Sequence, residues 1–330
     1  MKGQQMKKLI CLFAAAMIAL LSLAGCSGTG EKNGEAKEKK IKIIATIFPE
    51  YDWTRNILGE MEDEVELILL MDNGADLHNY QLTADDMLAM GDCDIFIYVG
   101  GMSDRTLMEA FDRNGNSSAV KVDLMEVLKD EIREEEQVEG MEPEDEHDED
   151  TEYDEHVWLS LNNAKKSCEA IAEALISVDG EHKDVYLSNL EKYTAKLDEL
   201  DERYENAVES SDVRLLVFRD RFPFRYLVDD YGLGYYAAFS GCSAETEASF
   251  ETIIFLSEKI DSNSLNSIMK IETSDGRIAE AVRDNTVSKN REILTLDSMQ
   301  SKTMKDVLEG ADYLNIMEGN LEVLKTALSR

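Results

Sequence analysis

The sequence is short of positive charge, proline and histidine, and each shortage closes off a class of explanation. Only 34 Lys and Arg stand against 69 Asp and Glu in 330 residues, a formal charge of −35. Nucleic acids are bound by releasing counterions to Lys and Arg, so this chain repels such polyanions and draws cations in. Three prolines and 19 glycines exclude a collagen-like or proline-rich chain. The five cysteines form no Cys-x-x-Cys, which supports neither a thiol redox motif nor a cysteine-rich structural zinc site. His-Glu-x-x-His and Gly-x-Ser-x-Gly are also missing, and with them two common hydrolase signatures. What is present, 43% hydrophobic and 31% charged residues, is the composition of a folded globular chain, long enough for two domains.

The N-terminus carries an address. Lys2, Lys7 and Lys8 precede an apolar run from Leu9 to Ala24, the charged start and hydrophobic core of a secretory signal. The junction Leu23-Ala24-Gly25-Cys26 resembles the lipobox of bacterial lipoproteins, which implies cleavage after residue 25 and lipid on the Cys26 thiol. Such cleavage leaves 31 basic against 69 acidic residues, a net −38. Residues 26–40 read as a polar tether. Cys93, Cys168 and Cys242, far apart in sequence, read as small buried hydrophobes.

From residue 41 the pattern alternates. A β-branched run at 42–48 is stopped by Pro49, then come a helix through Leu58, a strand at 65–70, a polar loop at 72–80, a helix at 83–90 and a strand at 95–99. Strands alternating with helices at this spacing predict mostly parallel sheets with covered faces. Two segments interrupt the rhythm. Residues 134–155 contain almost nothing to bury and no Lys or Arg, so they are expected to form a poorly ordered acidic loop. At 182–210, Tyr186, Leu190, Tyr193, Leu197, Leu200, Tyr204 and Val208 recur every three or four residues. This predicts a helix on the order of 40 Å long, a strut between two lobes. Alternation then resumes to the C-terminus. No internal sequence repeat is evident. The expected organisation is a signal at 1–25, a tether at 26–40, an N-terminal α/β lobe at 41–181, the linking helix at 182–210 and a C-terminal α/β lobe at 211–330.

With only four histidines in the chain, position matters. His78 lies in the loop after the second strand and His156 just after the acidic stretch, each beside acids and followed by an aromatic within two residues. His147 and His182 read as solvated.

These landmarks resemble the zinc and manganese solute-binding lipoproteins of ABC importers, cluster A-I. The resemblance rests on Ile47-Phe48-Pro49-Glu50-Tyr51-Asp52-Trp53, on Leu77-His78-Asn79-Tyr80, on Asp94 to Gly101, on His156-Val157-Trp158-Leu159 and on Tyr231-Gly232-Leu233, and it covers nearly all of 41–330. It implies two α/β lobes joined by one long helix, with a metal in the cleft. It also implies that His78 and His156 are ligands and that Asp297, in Leu296-Asp297-Ser298, is a late one. The chain departs from the family at the third ligand, where Arg221 stands. A guanidinium has no lone pair to offer. Asp220 next to it, Glu245 or water are the candidates for that role. Two imidazoles favour zinc over manganese and exclude an all-oxygen calcium or magnesium shell. The implied role is a monomeric, lipid-anchored binding protein that delivers its ion to an ABC permease and ATPase and is not an enzyme. The alternatives are a solute such as an anionic metal chelate held through Arg221, an extracytoplasmic zinc hydrolase, and a surface adhesin.

Overall fold

The computed structural model describes residues 40–143, 152–243 and 247–329. The expected signal, Cys26, His147, Glu245 and residues 144–151 of the acidic stretch lie outside them. Among the described residues no helix is long and apolar enough to cross a membrane.

The first lobe carries β1 (Ile41–Ala45), β2 (Val65–Leu69), β3 (Ile95–Tyr98) and β4 (Val120–Asp123), all parallel, in the order β2-β1-β3-β4. Around it lie α1 (Phe48–Leu58), α2 (Ala84–Met90), α3 (Arg105–Asn114), α4 (Leu124–Val127) and α5 (Leu161–Val178). The long helix α6 (Lys183–Glu209) follows. The second lobe holds β5 (Leu215–Val217), β6 (Gly234–Tyr236), β7 (Ser267–Ile271) and β8 (Glu292–Leu296), with α7 (Arg225–Asp230), α8 (Phe250–Ser262), α9 (Arg277–Asn285), α10 (Met304–Leu308) and α11 (Tyr313–Ala327). Its strands pair as β5-β6 and β7-β8, and a parallel bridge from Phe218 to Met269 joins the two ribbons into the order β6-β5-β7-β8. Both lobes therefore repeat one topology, although no sequence repeat announces it.

Successive strand side chains point to opposite faces, and here each sheet is covered on both. Ile43, Ala45, Ile95 and Ile97 enter the largest core, while Ile44, Phe96 and Tyr98 pack on the other side of the first sheet. In the second sheet Leu216, Phe218, Met269 and Ile271 join that same largest core, and Val217 and Ile268 face outward into a separate cluster. Tyr186, Tyr193, Leu197, Leu200, Tyr204 and Val208 of α6 complete it. One apolar core thus runs through both lobes, with α6 packed against α1, α5 and α11.

Several details differ from the sequence reading. The first strand ends at Ala45, and Phe48 opens α1, because Pro49 suits a first helical turn and Glu50 Oε2 accepts the backbone N–H groups of Thr46 and Ile47 at 2.7 and 3.2 Å. The reading assigned no element to α3, β4 or α5, although Leu161, Ala164, Cys168, Ile171 and Leu175 of α5 are buried at helical spacing. The acidic stretch is fixed at both described ends, contrary to expectation. Glu134 bridges Tyr153, the Glu135 N–H donates to the Glu152 carbonyl at 2.9 Å, Arg225 pairs with Glu136, and Glu142 Oε1 accepts the N–H of Ser249. Charge without apolar residues predicted disorder, but specific hydrogen bonds tie these ends down.

The lobes are also joined by polar bonds. Trp158, fully buried, donates Nε1–H to the Ser298 carbonyl at 2.9 Å, and its own carbonyl accepts the Tyr313 hydroxyl at 2.7 Å. Tyr313→Phe leaves that buried carbonyl without a partner and is expected to destabilise by about 1–3 kcal/mol. A urea midpoint equal to that of the wild type would show that the fold does not depend on this bond.

Candidate metal centre

Two turns of similar design present the histidines. His78 sits in the single helical turn Leu77–Asn79 after β2, and Asp76 Oδ1 accepts its backbone N–H at 2.9 Å. His156 stands just before the turn Val157–Leu159 that leads into α5, and Asp154 Oδ1 accepts its backbone N–H at 2.8 Å. Asp-x-His therefore occurs twice for the same reason: a short carboxylate caps the backbone two residues on and fixes the imidazole that follows. Asp154 Oδ1 also lies 2.8 Å from His156 Nδ1. Donation of Nδ1–H to this carboxylate leaves the lone pair on Nε2. His78 Nδ1 lies 2.7 Å from Ser103 Oγ, and Ser103 donates its backbone N–H to Glu155 Oε1 at 2.9 Å.

The two Nε2 atoms face one another at 3.2 Å. A tetrahedral zinc with Zn–N of about 2.0–2.1 Å holds two nitrogens about 3.3 Å apart, so the pair is already at coordination spacing. Burial, reinforced by His156, pushes the His78 pKa down to about 3, so the ring is neutral and able to coordinate at physiological pH. For His156 burial acts in the same direction but is outweighed by Asp154 and further acids, which raise its pKa. The Gln300 amide Nε2 lies 2.7 Å from His156 Nε2.

A thiol lies beside them. The ligand atoms of His78, His156 and Cys242 all lie within 4.8 Å of one another. Cys242 is half-buried, whereas Cys93 and Cys168 are fully buried, so reading all three as core hydrophobes was wrong for Cys242. Its loop approaches closely because residue 241 is glycine. A Cβ there would stand 2.9 Å from the Phe222 carbonyl oxygen and 3.1 Å from His156 Cε1.

The other sequence candidates have partners of their own. Arg221 forms an ion pair with Asp76 and approaches the Ser243 carbonyl at 3.4 Å. Burial pulls Asp76 upward, but Arg221 and His78 hold its carboxyl below the usual range. Asp220 accepts the Ile271 N–H at 3.1 Å and the Ser274 hydroxyl at 2.9 Å, and lies 3.0 Å from Arg219 Nε. Asp297 accepts the Met299 N–H at 2.9 Å and pairs with Lys302. Neither Asp220 nor Asp297 is brought into the histidine group. Beside it opens a cavity of about 660 Å³ lined by Asn79, by Arg219, Arg221 and Arg277 and by Asp220, Glu247 and Asp275 among others.

The reading missed Cys242, Gln300 and Ser103, which sequence distance hides. The doubled Asp-x-His was the available signal for Asp76 and Asp154.

Two α/β lobes of matching topology, with paired imidazoles presented by two loops of the first lobe, have the architecture of a two-lobed solute-binding protein. Residues 43–327 match the family described as zinc-uptake complex component A, periplasmic, and the chain belongs to that family. It is 29% identical over 97% of its length to the zinc-binding lipoprotein AdcA of Streptococcus pneumoniae, of which it spans only 61%. It is 27% identical to the high-affinity zinc uptake system protein ZnuA of Bacillus subtilis, over 98% of both chains. The solved Zn(II)-bound ZnuA-like domain of S. pneumoniae AdcA superposes with a TM-score of 0.70 at 25% identity, covering 88% of this chain and 100% of that one. A crystal structure of ZnuA gives the same TM-score of 0.70 at 19% identity, a likeness of fold alone.

Behind His78 runs a file of buried acids. Glu155 Oε2 stands 3.8 Å from His78 Nδ1. Burial, with Glu155 adding to it, outweighs the Gly100 hydrogen bond and pushes Asp104 up to about 7. Burial, with Asp104 adding to it, pushes Glu50 up to about 8 against the donors at Oε2. Because the folded state holds the Glu50 proton more tightly than the unfolded chain, stability should fall as pH rises from about 4.5 to 8. Glu50→Gln is expected to remove part of that slope, worth on the order of a few kcal/mol by pH 9. Urea midpoints that fall equally with pH in both proteins would contradict it.

Proposed function

We propose that this chain is an extracytoplasmic zinc-binding protein. In this reading lipid on Cys26 tethers it to the outer face of a bacterial cytoplasmic membrane, and it captures the ion at His78 and His156 and delivers it to an ABC-type importer. The observation that carries the reading is the spacing of the two Nε2 atoms, 3.2 Å, with hydrogen bonds on both Nδ1 atoms holding the rings in place. Two nitrogen donors select a late transition ion over calcium or magnesium. The relatives named for zinc binding and zinc uptake make zinc the cargo of choice over manganese. The net charge of −35 raises the local cation concentration around the molecule. Nothing here requires a chemical step: the site binds and releases.

A second reading concerns the form of the cargo. The cavity beside the histidines is lined by Arg219, Arg221 and Arg277 and equally by Asp220, Glu247 and Asp275, so a small carboxylate that travels with the ion as a chelate would have to displace a paired acid from its guanidinium. Zinc affinity that rises in the presence of citrate would favour it, and a fall by simple competition would remove it.

Protein purified without chelator or metal-affinity resin is expected to carry near-stoichiometric zinc by elemental analysis, and His78→Ala/His156→Ala to lose it. Failure of the wild type to take up any metal from excess zinc would remove the proposal. Replacing residues 144–151 with a Gly/Ser stretch of equal length is expected to keep the tight site, because the replacement keeps the bonds that Glu134, Glu135, Glu136 and Glu142 make at the described ends of the acidic segment. Loss of the bound zinc in that variant would place part of the site within those residues.

A further inference from the structure

We infer that Cys242 is the third metal ligand, a thiolate that takes over from the donor position occupied by Arg221 and makes the site selective for thiophilic ions. The inference rests on the metal-binding reading above and names a residue which that reading does not require.

Four observations converge on Cys242. Its sulfur lies within 4.8 Å of both imidazole nitrogens. With Zn–N of about 2.0–2.1 Å and Zn–S of about 2.3 Å, tetrahedral coordination places sulfur about 3.6 Å from each nitrogen, so the loop closes by about 1 Å at most. The loop is also held from several sides. The Cys242 N–H donates to Glu135 Oε1 at 2.9 Å, Arg221 reaches the Ser243 carbonyl, and Gly241 leaves room for His156. Arg221 has no lone pair, and Asp76, beside His78, pairs with its charge. A buried oxygen, Glu155 Oε2, has no hydrogen-bond partner and stands 3.8 Å from His78 Nδ1, behind the ring, where a carboxylate supports a cation held at Nε2.

The chemistry follows from the donor. On binding, the thiol gives its proton to solvent and coordinates as thiolate. Two imidazoles and one thiolate favour zinc and disfavour manganese, which prefers carboxylate, carbonyl and water. The fourth position is left to water, an arrangement suited to an ion that must later leave.

The test uses cobalt as a spectroscopic substitute for zinc in the full chain. Wild-type protein loaded with Co(II) is expected to show a near-ultraviolet sulfur-to-cobalt charge-transfer band, and Cys242→Ser to lose that band. Loss of a supporting residue outside the ligand shell typically costs 10–100-fold in affinity, so Cys242→Ser should cost zinc affinity on the order of 100-fold or more. It should change manganese affinity far less. A second measurement avoids mutation. In metal-free protein iodoacetamide should modify Cys242 and spare the buried Cys93 and Cys168, as read by peptide mapping. Saturating zinc should slow that modification by about tenfold or more. Tight cobalt binding without the thiolate band, or a Cys242 alkylated equally fast with zinc bound, overturns the inference and leaves the zinc-binding reading standing. Failure to bind any metal overturns both.

Discussion

The structure depends on a single apolar core shared by two sheets. Each lobe alone would leave one face of a short parallel sheet in water, a cost that folding cannot carry. The long helix removes the problem by laying Tyr186, Tyr193, Leu197, Leu200, Tyr204 and Val208 along both lobes. Trp158 is the point where this core meets the site. It is fully buried, bonded to Ser298 on one side and Tyr313 on the other, and it lies two residues from His156. The imidazole is therefore positioned by a fully buried, hydrogen-bonded part of the core. A wide hinge opening would expose the shared core, so exchange of a bound ion is more economically served by loop movement or small shear than by separation of the lobes.

Electrostatics organise the site in layers. Asp76 and Asp154 fix the turns that carry the histidines, and Glu155 stands behind Ser103 and His78. Arg221 compensates one of these acids and at the same time steadies the Cys242 loop through Ser243. The acidic segment belongs to this design at its described ends: Glu135 holds the Cys242 backbone and Glu136 pairs with Arg225. An excess of negative charge that reads as a solvated run is thus partly structural, because individual carboxylates find backbone N–H groups and guanidinium partners.

How much of this was legible varies with the distance over which each signal acts. The long helix was readable because its apolar residues recur at three and four, a pattern set by local geometry. The strands β1, β2 and β3 were readable as β-branched or apolar runs bounded by turns. The short, half-exposed β4, Val-Lys-Val-Asp, carried too little pattern to be read. The repeated strand order left no trace at all, since topology is set by which strands pair and not by residue identity.

By itself the sequence determined the alternating α/β pattern, the long helix and the pair of histidines, each of them beside a capping aspartate two residues earlier. Only the tertiary structure decided which other side chains meet those histidines. Residues 78, 156 and 242 come from three loops at distant points of the chain, and their mutual spacing is fixed by the packing of two sheets on one core, not by anything local. The same packing gave Asp220 and Asp297 to backbone amides, Ser274 and Lys302. It turned Arg221 toward Asp76 and brought a cysteine that reads as an ordinary buried hydrophobe to within reach of both rings.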